Sequence, residues 1–178
     1  MKYGPFLLIK VFMEIKDKVI VITGAAQGLG KNFALDLANR GAKLALADIN
    51  QELLEEVRKT CEQAGTEARA YDLNVAEEKA VEGFFDQAVS DFGTVDVLIN
   101  NAGITRDGLM LRMSDEDFDE VLNVNLRSIF IACRAAARPM MRGRFGRMIN
   151  ISSVTGLIGN PGQANYAAAK AGIIGMTK

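Results

Sequence analysis

The sequence predicts a single α/β domain in which a parallel sheet is covered by helices on both faces. Short apolar, β-branched runs alternate with segments that carry apolar residues at helical spacing. The short runs show little polar alternation, which is typical of strands buried on both faces. A length of 178 residues suits one domain with a sizeable core.

The composition excludes several classes of function. The chain is 49% hydrophobic and 24% charged with a net charge of −1, which disfavours a general nucleic-acid or membrane-surface binder. It contains no histidine, so His-ligated metal sites are excluded, no metal is expected, and acid–base chemistry must use other side chains. Cys61 and Cys133 are far apart in sequence and predict a reducing, cytoplasmic compartment.

Residues 1–12 are predicted to be an N-terminal extension without a catalytic role. Lys10 interrupts their apolar patch and no small-residue cleavage site follows, so a signal peptide is not predicted. No apolar run is long enough to span a membrane. Residues 13–178 form the predicted domain.

The predicted elements alternate strictly along the chain. Strands are expected at 19–23, 43–48, 67–74, 95–100 and 147–152. Helices are expected at 29–40, at 51–64, around 81–92, from Ser114 onwards, and at 163–178. Gly41, Gly65 and Gly93 end the first three helices, Ser114 caps the fourth, and Pro139 is expected to bend or end that helix.

A glycine-rich turn, T-G-A-A-Q-G-L-G at 23–30, joins the first strand to the first helix. Glycines let the backbone approach a pyrophosphate, and a helix N-terminus offers free N–H groups. The spacing is G-x-x-x-G-x-G, so the commonest fingerprint, G-x-G-x-x-G, is not matched. A merely structural turn is the alternative, but the strand–turn–helix position favours dinucleotide binding.

Asp48 closes the second predicted strand. A carboxylate at this point accepts hydrogen bonds from an adenosine ribose diol and repels a 2′-phosphate. Gln27, Ile49 and Asn50 add no basic charge nearby, so the sequence favours NAD over NADP. A helix-capping role for Asp48 is an alternative that is compatible with ribose binding.

The stretch 146–178 brings several polar groups toward one place. Its strand ends at Ser152 and Ser153, and its helix carries Tyr166 and Lys170 four residues apart, on one face. This is the candidate active site, although strand-end serines and surface Tyr–Lys pairs are also common. Asn125 falls on an apolar helix stripe and needs polar partners inside, which a plain buried hydrogen bond between helices would equally provide.

In these motifs the chain resembles the short-chain dehydrogenase/reductase family. They are T-G-x-x-x-G-x-G at 23–30, N-N-A-G at 100–103, Asn125, S-S at 152–153 and Y-x-x-x-K at 166–170, in the family's order. G-I-T-R-D at 103–107 and N-P-G-Q-A-N-Y-A-A-A-K-A-G at 160–172 are similar to its 3-oxoacyl-acyl-carrier-protein reductase branch. We therefore expect a Rossmann-type doubly wound sheet of order 3-2-1-4-5. The resemblance implies NAD(P)-dependent reduction of a 3-oxoacyl thioester, on acyl carrier protein or CoA, in fatty acid biosynthesis.

The resemblance also implies a role for each catalytic residue. Tyr166 would protonate the substrate carbonyl oxygen as hydride arrives, and Ser153 would hydrogen-bond that oxygen. Lys170 would contact the nicotinamide ribose and favour the ionised phenol, and Asn125 would hold a water that leads to Lys170. A free phenol titrates near pH 10, so proton transfer at neutral pH needs such help.

The residues expected to bind the cofactor follow from the same resemblance. They are Gly24, Gln27, Gly28, Leu29, Gly30, Asp48, Asn74, Val75, Asn101, Ala102, Gly103, Tyr166 and Lys170. Asn74 and Val75 stand where the family has Asp-Val against adenine, and Asp72 is a nearby alternative to Asn74.

Two partner surfaces are predicted. Arg127, Arg134, Arg138 and Arg142 recur mostly four apart, as on a solvated helix face. The alternative is docking of an acidic acyl carrier protein through Arg144, because the reductase branch uses an arginine there. Small residues in the last helix permit close helix approach, and the resemblance implies a homo-oligomer through the long helix and the last helix.

Family members continue with two further strands, so the chain is expected to be incomplete at its C-terminus, with its fifth strand an exposed edge. Two alternatives to the reductase therefore stay open. One is a truncated fragment that binds dinucleotide without turnover. The other is an NAD-linked dehydrogenase of a small secondary alcohol, which Asp48 supports.

Overall fold

The computed structural model describes residues 14–178, and the predicted N-terminal extension lies outside the described residues. Five strands form the sheet, and they are β1 (Val19–Thr23), β2 (Lys43–Asp48), β3 (Ala68–Asp72), β4 (Val97–Asn100) and β5 (Arg147–Asn150). All adjacent strands are parallel, in the order β3-β2-β1-β4-β5. The predicted fold class and strand order are confirmed, and only the bounds of β3, β4 and β5 are shorter than predicted.

Seven α-helices occur in the described residues. They are α1 (Gly28–Asn39), α2 (Gln51–Gln63), α3 (Glu78–Phe92), α4 (Asp115–Leu122), α5 (Ser128–Arg142), α6 (Thr155–Ile158) and α7 (Ala164–Thr177). A π-helical segment, Asn123–Arg127, makes α4 and α5 continuous, and a 3-10 turn, Met110–Arg112, precedes α4. The π-helical segment, the 3-10 turn and α6 were not predicted.

Apolar side chains from the strands fill two cores, one on each face of the sheet. Ile20, Ile22 and Leu44 pack on one face with buried residues of α1 and α2. Val21 and Leu98 pack on the other face with buried residues of α3 and α5. Successive side chains of β1 therefore enter opposite cores, and both cores are apolar, as the apolar character of the strands predicts.

Pro139, predicted to bend or end the long helix, does not end it, because α5 runs through Pro139 to Arg142. Pro139 lies in the last turn, where the missing N–H costs one backbone hydrogen bond. Its own carbonyl accepts the Gly143 N–H at 2.9 Å, so the turn stays closed. Ala136 and Met140, both buried against the sheet, keep this turn helical.

No helix within residues 14–178 is both long enough and apolar enough to cross a membrane.

The strand register aligns the carboxyl ends of the central strands. Thr23 of β1 lies opposite Asn100 of β4, which in turn lies opposite Asn150 of β5. The chain reverses its direction of winding between β1 and β4, and such a switch point opens a crevice at the carboxyl edge of the sheet. The candidate site lies at this edge.

Candidate active site

The glycine turn is a close-packed structure that tolerates no side chain at two positions. Gly24 has φ +67°, and a Cβ there would lie 2.8 Å from the Ala102 Cα. A Cβ at Gly30 would collide with the Gly24 carbonyl oxygen. Gln27 makes no side-chain cap at the start of α1, so the first backbone N–H groups of that helix have no side-chain partner and are free for an anion.

Thr23 and Asn101 join the glycine turn to the loop after β4. The Thr23 hydroxyl accepts the backbone N–H groups of Asn101 at 3.1 Å and Ala102 at 3.2 Å. The Asn101 amide donates back to the carbonyls of Gly24 at 2.9 Å and Thr23 at 3.2 Å. Asn101 therefore holds the turn in shape, and Thr23 is a supporting residue that was not predicted.

Asp48 is bonded to the glycine turn as well. Its Oδ2 accepts the Ala26 N–H at 3.0 Å, and its Oδ1 accepts the Asn50 N–H at 3.0 Å. The helix cap of α2 is Asn50, whose side chain accepts the Leu53 N–H at 3.1 Å, so the alternative of Asp48 as that cap is wrong. Each carboxylate oxygen keeps a further lone pair for a ligand.

A cleft of about 510 Å³ opens at the carboxyl edge of the sheet. Eight of the predicted cofactor-binding residues line it, namely Gly24, Gln27, Asp48, Asn74, Val75, Asn101, Ala102 and Gly103. Gly28, Leu29 and Gly30 lie in the turn and first residues of α1 at its end. Ile104, Glu120, Asn123 and Val124 also line the cleft and were not predicted.

Asn74 lies in the cleft, and its alternative, Asp72, does not. The Asn74 side chain accepts the Ala76 N–H at 3.1 Å and donates to Glu77 at 3.0 Å. Asp72 instead accepts a hydrogen bond from Gln51 on the exposed side of β3. Of the two candidates for a contact with adenine, the structure brings only Asn74 to the cleft.

Tyr166 and Lys170 share one face of α7. The Lys170 Nζ lies 5.6 Å from the centroid of the Tyr166 ring and donates to the Ile151 carbonyl at 2.7 Å. Only 4% of Lys170 is exposed, and this burial lowers the pKa of its ammonium. An ammonium has three N–H donors, so those not used by Ile151 are available to a ligand.

Asn125 is fully buried in the π-helical segment, as its apolar stripe predicts. Its Oδ1 accepts the Ile104 N–H and its Nδ2 donates to the Ile104 carbonyl, each at 2.8 Å. A Cβ at Gly103 would lie 3.0 Å from Asn125 Oδ1 and 3.9 Å from the Lys170 Nζ. The Asn125 side chain thus anchors the loop after β4 close to Lys170. These contacts are of the kind expected from the alternative of a plain buried hydrogen bond.

The two serines after β5 make different hydrogen bonds. The Ser153 hydroxyl accepts the Thr155 N–H at 3.2 Å, so its proton is free to be donated elsewhere. The Ser152 hydroxyl donates to the Lys170 carbonyl at 2.8 Å. Ser153 therefore has a free donor at this edge, whereas Ser152 is bound to α7.

Asn165 is a buried residue of the site that was not predicted. Its Nδ2 donates to the Arg106 carbonyl at 2.9 Å and the Asp117 carbonyl at 3.3 Å, and its Oδ1 accepts the Tyr166 N–H at 2.8 Å. Asn165, directly before Tyr166, therefore connects the start of α7 to the loop after β4 and to α4. The signal is present in the sequence, because Asn165, Ala169 and Ile173 form one buried stripe of α7.

The arginines in and beside α5 differ in their partners. Arg127 and Arg134 each bind Glu78 of α3 at 2.7 Å, so they join two helices. Arg144 is exposed, with a left-handed backbone φ of +52°, in the loop before β5. That loop lies at the amino edge of the sheet, opposite the edge that holds Tyr166.

Metal binding finds no support here, since residues 14–178 contain no group of three or more acidic or cysteine side chains placed to hold an ion.

The chain belongs to the short-chain dehydrogenase family, a family of oxidoreductases, because the family's sequence profile matches residues 18–178. The predicted resemblance is thereby confirmed.

Several relatives are 3-oxoacyl-[acyl-carrier-protein] reductases. The Thermotoga maritima protein is 45% identical over 93% of this chain and 68% of its own length. The Escherichia coli protein is 42% identical over 93% of this chain and 67% of its own length. The crystal structure of NAD+-bound xylitol dehydrogenase is 37% identical with a TM-score of 0.90, over 93% of this chain and 64% of that one. The chain spans about two thirds of the length of these relatives.

Proposed function

We propose that the chain carries the cofactor-binding and catalytic residues of an NAD(P)-dependent reductase that converts a 3-oxoacyl thioester to its 3-hydroxyacyl form. The observation that carries this proposal is the convergence of the glycine-turn cleft, Asn125 and Lys170 around Gly103. The 42–45% identity to reductases of that name supports the substrate class.

Each catalytic residue has a proton or a hydrogen bond to contribute. When bound, the reduced dinucleotide supplies the hydride for the substrate carbonyl carbon. Tyr166 donates its phenolic proton to the carbonyl oxygen, and Ser153 stabilises that oxygen with its free O–H donor. The positive Lys170 favours the ionised phenol that this transfer leaves. Asn125 keeps the loop after β4 in place beside Lys170.

The residues present suit NAD better than NADP, and NADP is the alternative. The Asp48 carboxylate lines the cleft with lone pairs left for a ribose diol, and its charge would repel a 2′-phosphate. Within the described chain, no lysine or arginine is among the residues that line the cleft. The glycine turn and the start of α1 would hold the pyrophosphate.

Exposed apolar side chains beside the site favour an acyl substrate over a polyol. They are Leu109, Met110 and Leu111 around the 3-10 turn, and Val154, Leu157 and Ile158 in and beside α6. The two segments lie next to each other, because the Gly108 N–H donates to the Gly162 carbonyl at 2.9 Å. Asn165, the residue before Tyr166, donates to the Arg106 carbonyl three residues before Leu109. Such an apolar surface next to a reactive carbonyl site fits an acyl chain.

The test is turnover of an acetoacetyl thioester, followed by the absorbance of reduced nicotinamide with NADH and with NADPH. Tyr166→Phe should lower the rate by about a hundredfold or more, because it removes the proton donor. Tyr71→Phe is the matched control, since Tyr71 lies on β3 and its hydroxyl donates to Asp91 of α3. A rate unchanged in Tyr166→Phe would refute the mechanism.

Two further functions are candidates. Cofactor binding without turnover would identify a dinucleotide-binding fragment, which the two-thirds coverage of the relatives leaves open. Oxidation of a small secondary alcohol by NAD+ without thioester reduction would identify an alcohol dehydrogenase, which the similarity to xylitol dehydrogenase favours. Absence of both binding and turnover would refute all three.

The proposal includes a cytoplasmic location. It also includes a homo-oligomer that pairs through α4, α5 and α7. An apolar groove on these helices is lined by Leu122, Leu126, Phe130, Gly172 and Met176. Sedimentation velocity should give an oligomer for the wild type and a smaller species for Phe130→Glu. A wild-type monomer would refute this arrangement.

Docking of an acidic acyl carrier protein at Arg144 is also proposed. Arg144 is exposed at the edge of the sheet opposite Tyr166, so a docked carrier would sit far from the site of the same chain. Arg144→Glu should lower activity on the carrier-bound substrate and leave activity on a small thioester unchanged. Arg40→Glu, on α1, serves as the control. Equal activity of Arg144→Glu and wild type on both substrates would refute it.

A further inference from the structure

Lys170 is held at both of its ends by two consecutive residues after β5. Its ammonium donates to the Ile151 carbonyl at 2.7 Å. Its backbone carbonyl accepts the Ser152 hydroxyl at 2.8 Å. Ile151 and Ser152 thus contact the ammonium and the backbone carbonyl of the same lysine, although α6 and its flanking loops lie between these two residues and Lys170 in the chain.

Gly156 adds a third contact at the same turn of α7. A Cβ at Gly156 would lie 2.7 Å from the Lys170 carbonyl carbon and 2.8 Å from the Ala171 nitrogen. The backbone of α6 therefore rests directly on α7 at Lys170. Any side chain at position 156 would have to push the two helices apart at this point.

We propose that Ser152 is a positioning residue, whose hydroxyl fixes the turn of α7 so that the Lys170 ammonium reaches the Ile151 carbonyl. A lysine side chain has much rotamer entropy to lose when it is held, so a fixed base is needed to hold its tip in one place. Loss of the Ser152 hydroxyl leaves the carbonyl end free to move, and the ammonium then shifts toward solvent. The importance of this for the reaction rests on the proposed function.

In the described chain two groups contact the Lys170 ammonium, namely the Tyr166 ring on the same helix and the neutral Ile151 carbonyl after β5. The neutral Asn125 amide shares Gly103 as a neighbour with the ammonium. Tyr166 is the titratable group among these neighbours. A change in the hydration of Lys170 should therefore be readable from its own titration.

The test is competitive acetylation of the lysines over a range of pH, read by mass spectrometry of peptides, which needs neither cofactor nor turnover. Ser152→Ala should raise the limiting acetylation rate of the neutral Lys170 amine, reached at high pH, relative to that of exposed Lys59 by about threefold to tenfold, the range that loss of one hydrogen bond allows. The titration midpoint of Lys170 should also move up toward 10.5, the ordinary lysine value. Ser152→Thr keeps the hydroxyl and should restore both quantities.

Two further pairs separate positioning from general loosening. Gly156→Ala should also raise the limiting acetylation rate and the titration midpoint of Lys170. Gly83→Ala should change neither, because a Cβ at Gly83 meets no atom within 4 Å. Thr60→Ala removes a comparable bond to a helix carbonyl, from Thr60 to Glu56, and should leave Lys170 unchanged. Ser152→Cys, which has a weak donor of similar size, replaces Ser152→Ala if that variant does not fold.

A Lys170 rate and midpoint equal to those of the wild type in folded Ser152→Ala or Ser152→Cys would overturn the proposal, even if the melting temperature fell. Failure of thioester turnover would bear on the proposed function alone, since the labelling is independent of it.

Discussion

The Asp48 carboxylate accepts a 3.0 Å hydrogen bond from the Ala26 N–H, so the end of β2 is joined to the glycine turn. The group proposed to recognise the ribose is therefore part of the structure proposed to hold the pyrophosphate. A substitution at Asp48 should change both cofactor choice and the stability of the turn.

Asp48→Ala should shift the ratio of NADPH to NADH affinity toward NADPH by about tenfold, because a carboxylate no longer repels the 2′-phosphate. It should also lower the free energy of unfolding by about 1–3 kcal/mol, since the Ala26 and Asn50 N–H groups lose their acceptor. Fluorescence titration with both cofactors and urea denaturation measure these effects. Asp36→Ala, on the surface of α1, is the control, and an unchanged affinity ratio would contradict the role given to Asp48.

Gly30→Ala should destabilise the fold by about 1–3 kcal/mol and abolish dinucleotide binding. The new methyl group would collide with the Gly24 carbonyl and the Asn101 amide, both backbone-anchored parts of the turn. Gly83→Ala, where the helix has open space, should instead be neutral or stabilising. Equal melting temperatures and equal affinities for the two variants would show that the turn is not packed as described.

Asn125→Ala should cost about 2–4 kcal/mol of unfolding free energy, because it leaves both backbone groups of Ile104 without their buried partner. Urea denaturation measures this cost. Asn39→Ala, at the exposed end of α1, should change stability by less than about 0.5 kcal/mol. If the two variants were equally stable, the two hydrogen bonds between Asn125 and Ile104 would contribute nothing to the free energy of unfolding.

The burial of Lys170 should make stability rise with pH. Its folded-state pKa is lowered, so the unfolded chain binds more protons between that pKa and 10.5. The free energy of unfolding must then increase with pH across this window and be flat below it. Denaturation of the wild type and Lys170→Met from pH 7 upward should show the difference moving in favour of the wild type. Lys59→Met reports the part of the profile common to any lysine substitution, and a difference that fell with pH would contradict the assignment.

Periodicity was enough to predict the sheet, since its central strands β1, β2 and β4 are short, largely apolar runs whose burial leaves few alternative arrangements. The long helix does not end at Pro139, one of the two outcomes expected there, because burial of Ala136 and Met140 outweighs the loss of one hydrogen bond in a last turn. Periodicity could not predict the π-helical segment, which depends on the fit of α4 and α5 to their neighbours.

A site residue could be predicted from the sequence only where its chemical type is unusual for its position in a helix or strand. Asn125 was found because an amide on an apolar stripe must have partners, and Asn165 could have been found in the same way. The bonding partners of the Thr23 and Ser152 hydroxyls could not be predicted, because they come from distant segments. For the same reason Asp48 was open to interpretation as a helix cap, until the structure showed Asn50 in that place.

The central claim is hydride transfer at the carboxyl edge of this sheet with Tyr166 as the proton donor. The most direct measurement is a single turnover with reduced cofactor deuterated at the transferable position, followed by mass spectrometry of the thioester product. One deuterium should appear in the 3-hydroxyacyl product with the wild type, and Tyr166→Phe should slow its appearance by about a hundredfold or more. Cofactor binding without labelled product, or equal labelling rates in the two proteins, would contradict the claim.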